Sequence, residues 1–354
     1  MDDSGFVLGI DLGGTKMALA TARSDGTLLR VERHPTEAAR GAEQAFDRAV
    51  AAGLRLVEET SAETGGALRA VGLSTMGVTR PDGVLMAPNV PGWDRLAIPG
   101  RLRHAFPAVP HGIENDVKAA TRAELRWGVL RGCRTAIYLN LGTGIAAGLV
   151  VDGAVLEGAN GAAGEIAYNL RTPHEEMGAA LGHAPLEEYV GGRAIGERAS
   201  VRFGRPLTTR DVFERADADV EARGLVEEAL GEILFQVTNL AIALDPERVA
   251  VGGGLMASEA LILPRLQAHM RRFVPFPPTV VAASLVHDAG LMGGVALAVE
   301  AWEQAHRPPS PLAPAGERPV GLSAPQSREA NPHGRGGEGE TGDNEMALRQ
   351  GEGL

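Results

Sequence analysis

Cysteine is nearly absent from this sequence of 354 residues, which contains only Cys133. No internal disulfide can form, and so low a count agrees with a reducing compartment. A lone thiol entering a predicted strand is more often structural than nucleophilic. No apolar run approaches the roughly 18 residues of a membrane span, and the acidic residues 1–4 lack the pattern of a signal peptide. We therefore expect a cytoplasmic protein with no membrane partner.

Positive charge is also scarce. The net charge is −11, which argues against a nucleic-acid partner. Only Lys16 and Lys118 are lysines among 34 basic residues. A coding bias toward arginine accounts for that usage, whereas a functional interpretation places Lys16 beside a bound phosphate. With 44% hydrophobic and 22% charged residues the chain has an ordinary globular composition, and its length predicts two domains.

The first informative stretch is residues 9–16, Gly-Ile-Asp-Leu-Gly-Gly-Thr-Lys. It predicts a strand, a tight turn at Gly13 and Gly14, and a second strand. Backbone N–H groups of such a turn can hold a phosphate, Thr15 adds a hydroxyl, and the Asp11 carboxylate suits a Mg²⁺ ion bound through water. An ordinary hairpin is the alternative, and the spacing matches neither a Walker loop nor the Rossmann fingerprint.

Residues 135–151 repeat this design as strand, glycine-rich turn and strand, with the turn at Gly142, Thr143 and Gly144. The repeat suggests a duplicated fold with one phosphate turn in each lobe. A further strand at 248–252 runs into Gly253 and Gly254. Hydrophobic spacing predicts helices at 41–64, 96–106, 117–128, 186–200, 220–244 and 290–304. Residues 307–354 lack an apolar period, and we expect a disordered tail there.

Asp116 follows the predicted strand end at residues 111–115 and opens a helix. Asp is a good helix N-cap, so capping is the structural explanation. The functional one is a carboxylate that takes a proton from a substrate hydroxyl. Phosphoryl transfer needs such a base, phosphate-holding groups and Mg²⁺, and the two glycine turns supply the second of these requirements. We favour the functional interpretation.

Taken in order, these stretches resemble the ROK family of sugar kinases. The resemblance spans roughly residues 6–305, through the motifs at 9–16, 113–116, 141–145, 161–165 and 251–254. It implies an α/β, two-lobed actin-like ATPase (ribonuclease H-like) fold with a ligand cleft between the lobes. The small N-terminal lobe would be 1–118, joined by the C-terminal helix 290–305, and the large lobe 119–289.

The resemblance also implies roles for particular residues. Asp116 would be the general base, and Asn115, Glu165 and Glu187 would hold sugar hydroxyls. Gly77 and the loop 89–93, with Asn89, would line the sugar. ATP and Mg²⁺ would bind at Asp11, Gly13, Gly14, Thr15, Lys16, Gly142, Thr143, Gly144, Gly253 and Gly254. Considered without the family, Glu165 fits a solvated loop carboxylate as well as it fits a sugar-binding residue. Glu187 considered in the same way is better explained as an exposed helix residue.

The sequence departs from the family at two places. Tyr168 occupies the position of a histidine that would touch the sugar, and residues 178–186 lack the cysteines of the family's zinc motif. His174 and His183 alone do not make a structural zinc site, which needs about four ligands, so we predict no structural zinc. Tyr168 puts glucose in doubt, and the resemblance implies amino sugars such as N-acetylmannosamine or kanosamine as alternatives. The cationic amino group of kanosamine would pair with Glu165 or Glu187.

The leading hypothesis is therefore an ATP-dependent hexose kinase acting on a 6-hydroxyl, as a homo-oligomer. The second is a sugar-responsive regulator, since ROK-type repressors share this core. Those repressors carry a DNA-binding helix-turn-helix before the first phosphate motif. Here that motif starts within ten residues of Met1, and the chain is acidic, so both observations count against a repressor. A third is a non-catalytic sugar binder, which intact Asp11, Asp116 and glycine turns argue against.

Overall fold

Two five-stranded sheets frame the chain. A computed structural model describes residues 5–80, 82–87, 90–285 and 288–307. The strands are β1 (Phe6–Leu12), β2 (Lys16–Ala22), β3 (Leu28–Pro35), β4 (Leu68–Thr75), β5 (Val78–Arg80), β6 (Gly83–Leu85), β7 (His111–Asn115), β8 (Ala136–Leu141), β9 (Ile145–Val151), β10 (Ala154–Val155), β11 (Arg248–Gly252) and β12 (Thr279–Ala282). The helices are α1 (Ala42–Thr64), α2 (Ile98–Ala105), α3 (Asp116–Arg126), α4 (Glu187–Val190), α5 (Gly192–Phe203), α6 (Thr209–Arg215), α7 (Val220–Leu244), α8 (Glu259–Phe273) and α9 (Ala289–Ala305).

The two sheets have the same design. Their strand orders are β3-β2-β1-β4-β7 and β10-β9-β8-β11-β12. In each, the first strand in the chain pairs antiparallel with the second and parallel with a later strand. The register sets Asp11 beside Ser74 in the first sheet and Asn140 beside Gly252 in the second. The predicted internal repeat is therefore present in the sheets and their glycine turns.

The first sheet is covered on both faces, as its almost continuously buried strand β1 requires. Leu8 and Ile10 pack with Phe46 of α1 in one hydrophobic cluster. On the other face α9 lies so close that a Cβ built on Gly72 would be 1.9 Å from the carbonyl oxygen of Gly294. The tight fit against β1 and β4 holds α9 on the first sheet.

The second sheet packs its large core against the long helix α7. Ile137 and Leu139 of β8, Val249 of β11 and Ile233 of α7 belong to one buried cluster. Helix α3 contacts β9 of this sheet and also α9, which lies on the first sheet. The helix that Asp116 opens therefore lies where elements of the two sheets meet.

Most predicted elements are present, with three differences. The helix predicted at 186–200 is two helices, because Gly191 leaves the helical conformation with a ψ of 147° between α4 and α5. Helix α6 was not predicted, although Thr208 and Asp211 form a capping box at its start. Helix α8 was not predicted either, and Pro264 inside it interrupts the sequence pattern.

Some sequence-based expectations lie beyond this description. The predicted tail, apart from Arg307, falls outside the described residues, and the lobe boundaries at residues 118 and 289 stay predictions. Among the described helices, none combines the length and the apolar character needed to cross a membrane.

Candidate active site

The first glycine turn joins β1 to β2 and is held by its own backbone and by Thr36. The Gly13 N–H donates to the Lys16 carbonyl at 3.1 Å. The Thr36 hydroxyl donates to the Gly13 carbonyl at 2.6 Å, and the Thr36 N–H donates to the Thr15 carbonyl at 2.9 Å. Thr36 is buried. Sequence reasoning missed it, since nothing local shows that β3 returns to this turn.

The second glycine turn joins β8 to β9 and is fixed by the start of α5. Its carbonyl groups at Gly142 and Thr143 accept the N–H groups of Gly192 and Arg193, at 3.0 and 3.1 Å. Gly144 has no room for a side chain, because a Cβ there would lie 1.9 Å from a carboxylate oxygen of Glu187. The turn is thus pressed against α4 and α5.

Both turns open into one cleft of about 880 Å³. The predicted residues that line it are Gly13, Gly14, Thr15, Gly77, Asn115, Asp116, Thr143, Gly144, Glu165, Tyr168 and Glu187. Arg193, Glu188 and Glu197 also line it and were not predicted. The cleft therefore combines two phosphate-type turns with the candidate base and the candidate sugar-binding carboxylates.

Five predicted residues that the structure describes are not among those that line the cleft: Asp11, Lys16, Gly142, Gly253 and Gly254. Asp11 and Lys16 are adjacent to the first turn but are not among the residues that line the cleft, and the Lys16 side chain is exposed. Gly253 has a φ of +92° and a Cβ there would lie 2.4 Å from the Leu141 carbonyl oxygen, so it fits β11 against the second turn. Asn89 lies outside the described residues.

A second cavity of about 710 Å³ adjoins the cleft. Thr143, Arg193 and Glu197 line both. The rest of its wall includes Gly142 and Gly254, as predicted for a nucleotide, together with side chains of α5 and α6. Because sequence reasoning did not find α6, it missed this wall.

Asp116 is the first residue of α3, but the helix is capped by its neighbour. Asn115 accepts the N–H groups of Val117 and Lys118 at 2.9 and 3.2 Å through its side-chain oxygen, and its amide donates to the Gly77 carbonyl at 2.9 Å. One Asp116 oxygen also accepts the Val117 N–H at 2.9 Å. Capping is therefore chiefly the work of Asn115, and the Asp116 side chain is exposed to the cleft.

The cleft is strongly acidic. Asp116 is accessible inside it but enclosed by protein, and this burial, with the charge of Glu187, raises the pKa of Asp116. Burial is likewise the main cause that raises the pKa of Glu165, with Asp116 and Glu187 adding to it. Glu187 accepts the Ile145 N–H at 3.2 Å, next to the second turn. Glu165 and Glu187 thus belong to the cleft wall and are not free surface carboxylates.

Asp11 is a partly buried carboxylate next to the first glycine turn. It accepts a hydrogen bond from Ser74 at 3.2 Å. Burial, followed by the charge of Asp116, raises its pKa to about 7. No group of three or more His, Cys, Asp or Glu side chains within the described residues is arranged to hold a metal. A Mg²⁺ ion at Asp11 therefore fits only with phosphate and water oxygens completing its shell, which is its common mode in phosphoryl transfer.

Tyr168 lines the cleft and packs against the core of the second sheet. Burial, with Glu165, Glu187 and Glu188, raises its pKa. The following segment is held by contacts with α4 and α7: Gln236 donates to the Leu170 carbonyl at 2.9 Å, and His183 lies 3.0 Å from Glu188. These contacts tie Leu170 to α7 and His183 to α4, and the absence of a structural zinc stays a prediction.

The duplicated sheets, with one glycine turn each facing a common cleft, define the two-lobed actin-like ATPase class. Solved structures agree. The ROK hexokinase from Thermus thermophilus has a TM-score of 0.70 at 30% identity, covering 83% of this chain and 97% of its own. A ROK glucokinase from Streptomyces griseus, in complex with glucose and AMPPNP, has a TM-score of 0.68 at 26% identity, covering 84% and 100%. A ROK transcriptional regulator shares the fold, with a TM-score of 0.72 at 19% identity and coverage of 85% and 79%.

The sequence comparison identifies the family. The profile of the ROK family matches residues 7–301, and this chain belongs to that family. A glucokinase from Streptomyces coelicolor is 27% identical over 321 residues, covering 84% of this chain and 98% of its own. An N-acetylmannosamine kinase from Haemophilus influenzae is 28% identical over 292 residues, covering 81% and 93%. The resemblance noted from the motifs is thereby confirmed at the level of the family.

Proposed function

We propose that this chain is an ATP-dependent hexose kinase that phosphorylates the 6-hydroxyl of a hexopyranose, with Asp116 as general base. The observation that carries the proposal is the position of Asp116, whose carboxylate is exposed in the same cleft as both glycine turns. A sugar hydroxyl that enters this cleft meets a base and a phosphate cradle together. The glucokinase and N-acetylmannosamine kinase relatives support the same reaction.

The chain's own groups account for the steps. Backbone N–H groups of the two turns bind the phosphates, and Glu165 and Glu187 orient the sugar through its hydroxyls. Asp116 then takes the proton of the attacking hydroxyl, and its raised pKa brings it nearer to the working pH of a base. Mg²⁺ held through Asp11 would supply neutralisation of the phosphate charge. An enclosed cleft limits competing transfer to water.

ATP is the proposed donor because the second cavity begins at the second glycine turn. Gly142 and Thr143 line its phosphate end, and Gly254 and α6 line the remainder. A nucleoside has space there while its phosphates extend into the sugar cleft, since Thr143 and Arg193 border both volumes. The relative from Streptomyces griseus was crystallised with AMPPNP, an ATP analogue.

The sugar is proposed from the acidic wall. Glu165 and Glu187 line the cleft with Tyr168 between them in sequence. Two carboxylates suit either paired sugar hydroxyls or a cationic amino group. Glucose and N-acetylmannosamine follow from the relatives, and kanosamine follows from the carboxylates and the missing histidine. Kanosamine carries a free amine, whereas N-acetylmannosamine does not. Comparing turnover on these two sugars therefore distinguishes recognition of charge from recognition of size.

The test is coupled ADP release with Mg-ATP over glucose, mannose, glucosamine, N-acetylmannosamine, N-acetylglucosamine and kanosamine. We expect turnover on at least one, with the product phosphorylated at the 6-oxygen by NMR. A far higher kcat/KM for glucose than for kanosamine would contradict the kanosamine proposal. Sugar binding without turnover on any member would contradict the kinase and favour a sensor. Light scattering on the same sample tests the proposed homo-oligomer, and cell fractionation tests a cytoplasmic location.

A further inference from the structure

Lys118 is a buried lysine in the first turn of α3, close in sequence to the candidate base. It lies two residues after Asp116 on α3, and only 1% of it is exposed. Its ammonium donates a hydrogen bond to the Gly161 carbonyl at 2.6 Å. A buried cation is costly unless it is paired or hydrogen-bonded. The contact therefore ties α3 to a segment 43 residues further along the chain.

That segment ends at the carboxylate proposed to bind the sugar. Gly161 is followed four residues later by Glu165. Gly161 has a φ of +73°, and a Cβ there would lie 2.4 Å from the carbonyl oxygen of Thr79 in β5. The segment is thus confined on one side by the backbone of β5 and anchored by the lysine of α3. Its other fixed point is the Gly164 carbonyl, which accepts the Ala147 N–H at 2.8 Å.

We propose that Lys118 is a positioning residue that holds the segment 161–165 on the helix of the base and supplies the positive charge acting on both Asp116 and Glu165. The inference rests on the proposed kinase function. It gives the lysine two separable tasks, a hydrogen bond to Gly161 and a charge toward the two carboxylates.

The electrostatics of the cleft support the second task. Burial raises the pKa of Asp116 and of Glu165, and Lys118 is a charge that lowers both. The other titratable or charged groups around the pair are Asp11 on β1, Glu114 on β7 with Arg122 at 3.6 Å from it, Tyr168, Glu187 and Glu188 on α4, and Arg193 and Glu197 on α5. The carboxylates among them outnumber the two arginines, so removing Lys118 takes away part of the scarce positive charge around Asp116 and Glu165.

Two substitutions separate the tasks. Lys118→Met keeps a long apolar stem and removes both charge and donor, whereas Lys118→Gln removes the charge and keeps an N–H donor. Arg134→Met is the matched control, since it deletes one cation at a side chain that is 79% exposed. The readouts are the pH profile of kcat/KM for the sugar and hydrogen exchange of the amides in 158–165.

In both Lys118 variants we expect the acidic limb of the profile to move up by about one pH unit, because a nearby opposite charge lowers a carboxyl pKa by that order. We expect Lys118→Met alone to lose exchange protection in 158–165 and to raise the sugar KM by about tenfold. Arg134→Met should move neither readout.

Three results would overturn the inference. A fall in rate that is equal at every pH, with an unmoved acidic limb, assigns Lys118 a packing role only. Unchanged exchange in Lys118→Met removes the tether. If the wild-type chain turns over no sugar, the proposed function fails, and the exchange data still decide the tether. If Lys118→Met does not fold, Lys118→Gln decides the charge.

Discussion

Replacing Asp11 by asparagine is expected to stabilise the folded protein while weakening its binding of Mg-ATP. The side chain is half-buried between the first glycine turn and Ser74. Asparagine keeps the oxygen that accepts the Ser74 hydrogen bond and removes the charge. A carboxylate that destabilises the ligand-free protein and contributes to binding only when a cation is present should behave in this way.

The size of the stabilisation follows from the pKa of Asp11, which rises from its ordinary value of 3.8 to about 7 in the folded protein. A carboxyl whose folded pKa lies above its unfolded value binds more protons when folded, so stability falls as pH rises between those two values. At about 1.36 kcal/mol per pH unit the full difference is about 4 kcal/mol. Partial access of water to Asp11 lowers the expected gain for Asp11→Asn to about 2 kcal/mol above pH 8.

The assay is urea unfolding of wild type and Asp11→Asn at steps from about pH 5 to pH 8 without nucleotide. The difference in unfolding free energy should grow with pH in favour of Asp11→Asn. Asp82→Asn serves as control, since that carboxylate is 84% exposed and its removal should leave the pH dependence unchanged. A difference that is constant with pH, or an Asp11→Asn protein less stable than wild type at pH 8, would refute the reasoning.

Two further predictions concern glycines. Gly144→Ala should raise the sugar KM by about tenfold with little loss of melting temperature, which kinetics and thermal unfolding can check. The reason is that the new methyl group would lie 1.9 Å from the present position of the flexible Glu187 carboxylate and would displace it. Gly72→Ala should cost at least about 3 kcal/mol in urea unfolding, because its methyl group meets the rigid backbone at Gly294. Gly83→Ala, with nothing within 4 Å of the new methyl group, should be nearly neutral.

The framework was predictable because its signals are local. Each glycine turn lies directly between two strands in sequence, so the strand-turn-strand pattern is visible in residues 7–21 and again in 135–151. Family resemblance then gave the order of the motifs. Asp116, Glu165 and Glu187 were proposed in this way, and the structure places them along one cleft, while their roles stay predictions.

The remaining parts depend on contacts between distant segments. The Thr36 clamp on Gly13 and the Lys118 contact with Gly161 join residues 23 and 43 positions apart, and no periodicity reports such pairs. The break at Gly191 arises for the same reason, since the second turn packs against the backbone there. Asn115 and Asp116 are both good caps by type, and only the folded geometry distinguishes the cap from the candidate base.

The role of Asp116 as general base is tested most directly by comparing wild type with Asp116→Asn on the sugar selected by the panel, following phosphoryl transfer by ADP release and sugar binding by calorimetry. We expect Asp116→Asn to lose at least about 100-fold in kcat, as for the loss of a general base, while the sugar Kd stays within about threefold. Turnover within tenfold of wild type would contradict the assignment of Asp116 as the base.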